Sequence, residues 1–222
     1  MEKSNIDEKI KLLTGSGMWH TQEVEGLPSV HLSDGPHGLR KQEEKERQNN
    51  VSLVSTCYPT ASALACSWDV TAAERLGGAV AKEAWNADVA VLLGPGINMK
   101  RSPLCGRNFE YFSEDPFLAG RLGAAYVSAA QGEDVAVSLK HFAANNQETN
   151  RQTSNSQIDE RALREIYLSA FEYVVKTARP ATVMASYNRL NGYYACENRH
   201  LLTEILREEW GYDGLVVTDW GA

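Results

Sequence analysis

Val135–Arg151 reads VAVSLKHFAANNQETNR. Val135–Leu139 is apolar apart from Ser138 and has the length of a buried strand, too short for a helix. The run stops at Lys140-His141, and Asn145–Arg151 then turns amide-rich and charged. Such a strand, apolar on both faces, belongs in a parallel sheet covered on both sides.

Outward from this segment the same pattern recurs. Leu27–Leu32 ends on Ser33-Asp34, Ala181–Ser186 on Tyr187-Asn188, and Leu215–Thr218 on Asp219. Val89–Leu93 is a further apolar run, and Thr60–Ala65 is read as another strand. Between them lie stretches with helical periodicity: Ser4–Leu13, Val70–Ala87, Phe117–Gln131 with Pro116 at its start, Asp159–Thr177, and Asn198–Glu209. Gly77-Gly78 weakens the second of these by roughly 1 kcal/mol per glycine relative to alanine. Strands alternating with helices indicate an α/β domain. Polar residues at the ends of several different strands favour a (β/α) barrel over an open doubly wound sheet, whose site gathers at one switch point. No G-x-G-x-x-G follows the first strand.

Composition excludes several classes. The chain has 222 residues, 43% of them apolar, and a formal charge of −7. It can bury a core, and it lacks the clustered basic residues that nucleic acid or an anionic membrane surface requires. The densest charge run, Lys41–Arg47 (KQEEKER), mixes signs and reads as a solvated loop. The opening MEKSNIDEKI has no apolar signal core, and no apolar run approaches the ~18 residues of a membrane span. Cys57, Cys66, Cys105 and Cys196 are dispersed without a C-x-x-C pair. Reduced thiols and a cytoplasmic location are therefore expected.

The residues admit competing chemistries. Asp219 is either an N-cap for a following helix or a carboxylate nucleophile at a strand mouth, with Trp220 as wall or core. Lys140 and His141 form an internal ion pair and hydrogen bond, donate to substrate hydroxyls, or, for Lys140, form a Schiff base. In HLSDGPH, His31, Asp34 and His37 have no defensible metal spacing, so no metal is expected and Asp34 is read as a hydroxyl acceptor. Arg107, Glu110, Glu114 and Asp115 share one loop, which is either self-paired or part of a site.

The joint order of HLSDGPHGLR, CGRNFEYFSEDP, LKHFAANNQETNR, VMASYN and GLVVTDWG resembles the N-terminal domain of family 3 glycoside hydrolases, most nearly the bacterial β-glucosidases. The resemblance runs almost the length of the chain. It implies a TIM-barrel-like domain over residues 1–222, incomplete at its C-terminal side, with the family's downstream α/β sandwich absent. It implies exo-acting, retaining hydrolysis of terminal β-linked glucosides or oligosaccharides, with Asp219 as nucleophile. Asp34, Arg107, Lys140, His141 and Arg151 would hold the sugar, Tyr187 would pack beside the nucleophile, and Trp220 would line the subsite. No cofactor is implied. The general acid would come from the missing domain or another chain; otherwise the chain is a sugar-binding or assembly module, or a Schiff-base lyase using Lys140.

Overall fold

The computed structural model describes residues 6–42 and 51–222. The charge run Lys41–Arg47 and the start of the helix expected from Ser4 therefore lie partly outside the described residues. The chain folds around a five-stranded parallel sheet in the order β1 (Leu32–Asp34), β2 (Val91–Leu93), β3 (Ala136–Phe142), β5 (Thr182–Ala185) and β8 (Leu215–Thr218). A smaller sheet holds β4 (Asn155–Ser156), β6 (Arg189–Leu190) and β7 (Tyr193–Tyr194). Every pairing in the large sheet is parallel, as the uniformly apolar strands require. β5 is buried along its whole length, whereas β8 is a partly exposed outer strand.

The helices cover this sheet. α1 (Ile6–Leu12) buries none of its residues. α3 (Val70–Asn86) is capped by Asp69 and α4 (Pro116–Gln131) by Asp115, each carboxylate accepting from a first-turn N–H. Asp159 caps α5 (Glu160–Ala162), which continues through a π-helical turn, Leu163–Tyr167, into α6 (Ser169–Ala178). The single helix expected over Asp159–Thr177 is thus broken by one wide turn. Ala170, Phe171, Val174 and Val175 recur at helical spacing on the buried face of α6. Phe171 packs edge-on against Phe142 of β3 at 5.2 Å. Phe142 in turn meets Trp210, at the end of the π-helical stretch His200–Glu209, at 5.8 Å. This aromatic trio fixes the strand that delivers Lys140 and His141. Among the described residues no helix is long and apolar enough to cross a membrane.

Two expected strands need correction. Thr60–Ala65 is not a strand; Ala61–Ala65 forms the short helix α2. Thr60 caps it by accepting from Ala63 N–H, and the alanine-rich run that follows has no β-branched residue to resist the helix. Leu27–Leu32 is displaced: Leu27 is exposed in a turn bonded to Val24, and the parallel pairing with β2 begins at Leu32.

Gly77 explains itself in three dimensions. A Cβ there would lie 2.4 Å from the Tyr126 carbonyl oxygen, so α3 and α4 approach closely only because position 77 is bare. At Gly78 a Cβ would meet nothing nearer than Glu133 Oε1 at 3.8 Å. Gly77→Ala should therefore lower stability by roughly 1–3 kcal/mol through overpacking, and Gly78→Ala should raise it by up to ~1 kcal/mol through helix propensity. Urea unfolding of the two variants checks this; equal effects would refute the close-approach explanation.

Candidate active site

At the C-terminal ends of the parallel strands lies a cavity of about 420 Å³. β1 brings Asp34, β3 brings Lys140 and His141, the segment after β5 brings Tyr187, and the segment after β8 brings Asp219 and Trp220. Arg107 enters from the loop between β2 and α4, and Arg151 from the loop after β3. All of the site residues expected from the sequence thus line one cavity.

The floor is a cluster of buried charges. Glu110, with 4% of its side chain exposed, pairs with Arg107 and lies 3.5 Å from Lys140 Nζ. Lys140 Nζ is also 3.7 Å from Asp34 Oδ1. Burial alone would raise the Glu110 carboxyl, but Lys140 and Arg107 outweigh it and hold the group below the ordinary glutamate range. The other charges of that loop go elsewhere: Asp115 caps α4, and Glu114 lines a separate depression.

His141 is wholly buried, and its imidazole is held well below its usual value by burial, then by Arg107, Lys140 and Arg151. It is therefore neutral. Arg107 has no acceptor, so its Nη2 donates to His141 Nε2 at 2.7 Å. The ring proton then resides on Nδ1 and donates to the Tyr111 hydroxyl at 2.9 Å. Asn98 fixes the His141 backbone on both sides, accepting from its N–H and donating to its carbonyl, each at 2.8 Å.

Asp219 is 8% exposed. Its Oδ1 accepts from Trp220 N–H at 2.8 Å, whereas its buried Oδ2 has no hydrogen-bond partner in the protein. Oδ2 lies 3.8 Å from His141 Nε2, whose lone pair is already engaged by Arg107. Tyr187 donates to the Trp220 carbonyl at 2.6 Å; burial, with the Asp219 charge nearby, pushes its phenol up to about 12, so it keeps its proton. Arg151 stacks over the Tyr187 ring at 4.6 Å and donates to Glu148 at 3.0 Å.

Such a pocket presents cationic donors, carboxylate acceptors and an aromatic wall, a setting suited to a polyhydroxylated ligand. His31, Asp34 and His37 diverge: the His31 ring packs against His20, His37 against Phe109, and Asp34 faces Lys140. Among the described residues no group of three or more His, Cys, Asp or Glu side chains could hold a metal.

Residues 36–222 match the family described as the glycosyl hydrolase family 3 N-terminal domain. The chain belongs to this family. It is 54% identical, along its entire length, to thermostable beta-glucosidase B of Acetivibrio thermocellus, and spans 30% of that protein. It is 50% identical, over 98% of its length, to an exo-alpha-(1->6)-L-arabinopyranosidase of Bifidobacterium longum, and spans 29% of it. The solved structure of beta-glucosidase 3B from Thermotoga neapolitana in complex with glucose superposes with a TM-score of 0.92 at 42% identity, over 98% of this chain and 33% of the other. The α/β, TIM-barrel-like architecture is therefore that of a family 3 N-terminal domain.

Within this domain the cavity also contains Met18, Trp19, Arg40, Phe109, Glu110 and Met184. Arg40, Phe109, Glu110 and Met184 stand in or beside the motifs read from the sequence, and their clustering there was the available signal. Met18 and Trp19 carry no local signal and arrive only through long-range contact. Glu110→Gln should leave Lys140 and Arg107 buried without their shared counter-charge and cost about 3–5 kcal/mol near neutral pH. Because the folded-state carboxyl is depressed, its contribution is present above the ordinary glutamate value and is lost as pH falls through the folded value. The stability gap between wild type and Glu110→Gln, from urea titrations at several pH values, should therefore close on acidification. A gap independent of pH would overturn this assignment.

Proposed function

We infer that this chain supplies the nucleophile and sugar-holding side of a retaining β-glucosidase site, with Asp219 as nucleophile. The observation that carries this reading is the free Oδ2 of Asp219: a buried carboxylate oxygen on a cavity wall with no partner in the protein. A structural carboxylate would have that oxygen satisfied. In the proposed reaction an Oδ2 lone pair forms a bond to the anomeric carbon while the glycosidic C–O bond breaks. The bonding pair leaves on the aglycone oxygen, which takes a proton from a general acid, and water later releases the sugar. Lys140, Arg107 and Arg151 donate to ring hydroxyls, and Asp34 accepts.

The acid is not among the carboxylates of the cavity. Asp34 is proposed to hold hydroxyls, Asp219 attacks, and Glu110 is kept ionised by its two cations. A proton donor from a further domain or another chain would complete the site, in keeping with relatives about three times as long. The Schiff-base alternative is weaker, because Lys140 Nζ is already engaged in ion pairs with Asp34 and Glu110.

Without the acid, natural disaccharides should be hydrolysed poorly, since leaving-group protonation is worth roughly 10²- to 10⁴-fold. An activated 2-fluoro aryl glucoside needs no such help and should leave one sugar on wild type, seen by intact-mass spectrometry, and none on Asp219→Asn. Label that persists on Asp219→Asn would sink the nucleophile assignment, and sugar binding without any label would favour a non-catalytic module. The matching arabinopyranoside should be run alongside, since a relative of half identity is named for that activity.

A further inference from the structure

The family match begins at residue 36, yet Met18 and Trp19, well upstream of it, line the cavity. Their placement is anchored. Trp19 carbonyl accepts from Leu32 N–H at 2.7 Å, which ties it to the first residue of β1. The Trp19 indole donates through Nε1 to Gln42 Oε1 at 3.2 Å. From this fixed position its ring lies 5.5 Å from the Trp220 ring, inclined at 40°. One residue earlier, Met18 carbonyl accepts from Trp220 Nε1–H at 2.7 Å.

These contacts join opposite limits of the sheet. β1 and β8 are the outer strands of the five-strand order, and the Met18–Trp19 segment spans from one to Trp220, two residues past the other. Every polar atom of Trp220 is thereby held: N–H by Asp219 Oδ1, carbonyl by Tyr187, and indole N–H by Met18. The first of these bonds matters most for chemistry. Asp219 has one oxygen fastened to Trp220 and the other free, so the position of Trp220 sets where the free oxygen points.

We propose that Trp19 is a positioning residue for Asp219, acting through Trp220, with Met18 and Gln42 as its fastenings. The inference rests on the reading of Asp219 as nucleophile. Trp19 acts on Asp219 through one intermediary: it packs against the Trp220 indole, and the main-chain N–H of that same residue is the donor to Asp219 Oδ1.

The test is the kinetics of labelling by the 2-fluoro aryl glucoside, separated into the rate constant for covalent transfer and the dissociation constant of the reagent. Trp19→Leu should slow transfer about 10- to 100-fold, the order expected when a reacting group is misplaced by about an ångström, with a smaller change in reagent affinity. Trp19→Phe, which keeps a ring against Trp220, should recover most of the rate. Gln42→Leu, which frees the Trp19 indole without altering the cavity lining, should slow transfer in the same direction and decides the matter if Trp19→Leu does not fold. A merely structural role would lower the unfolding temperature and the fraction of protein labelled, but not the rate constant of the folded population. Wild-type rate constants in Trp19→Leu, or in Gln42→Leu if the former is unfolded, overturn the inference while leaving Asp219 as nucleophile. Wild type that takes no label defeats the nucleophile reading, and this inference with it.

Discussion

The Glu110 carboxylate, shut away from water between Arg107 and Lys140, constrains the rest of the site. A buried ion is tolerated only where neighbours replace its hydration, and removing any member leaves the others stranded. Glu110 and Arg107 come from the loop after β2, Lys140 from β3, and Asp34 from β1, so this one requirement ties the mouths of three strands together. It also sets the state of His141. Beside cations and without access to water, the ring cannot hold a second proton, and Arg107 then dictates which nitrogen carries the first.

The ligand-facing groups divide accordingly. Lys140 and the arginines bring charge, His141 and Tyr187 are neutral at ordinary pH, and Asp219 keeps one oxygen in reserve. On the proposed reading, hydroxyl recognition would not depend on the titration of the histidine. The aromatic packing of Phe142 against Phe171 and Trp210 keeps β3 from shifting beneath Lys140 and His141.

Much of this was legible in the residues because strand and site are written in the same places. Lys140 and His141 lie in β3 itself, buried, with their side chains on the polar cavity, and each polar strand end read this way places a residue on that cavity. Short elements were less legible. Ala61–Ala65 is too brief for periodicity to separate strand from helix, and the cap at Thr60 decided it. The small sheet of β4, β6 and β7 rests on two-residue pairings that carry no pattern. Trp19 was invisible for a different reason: its partner is Trp220, and nothing in a linear reading joins them.

That last contact has a consequence for the order of assembly. The bond between Met18 and Trp220 spans 202 residues. Loop-closure entropy grows with the length of chain enclosed, so a contact of this reach gains little until intervening elements have already drawn its ends together. Helices α3, α4 and α6 and strands β2, β3 and β5 enclose far shorter loops and can consolidate first. During synthesis the 202 residues that separate Met18 from Trp220 must be made before its partner exists. The wall beside Asp219 is thus completed late, and an incompletely folded chain would carry most of the buried core with Asp219 not yet fixed in place.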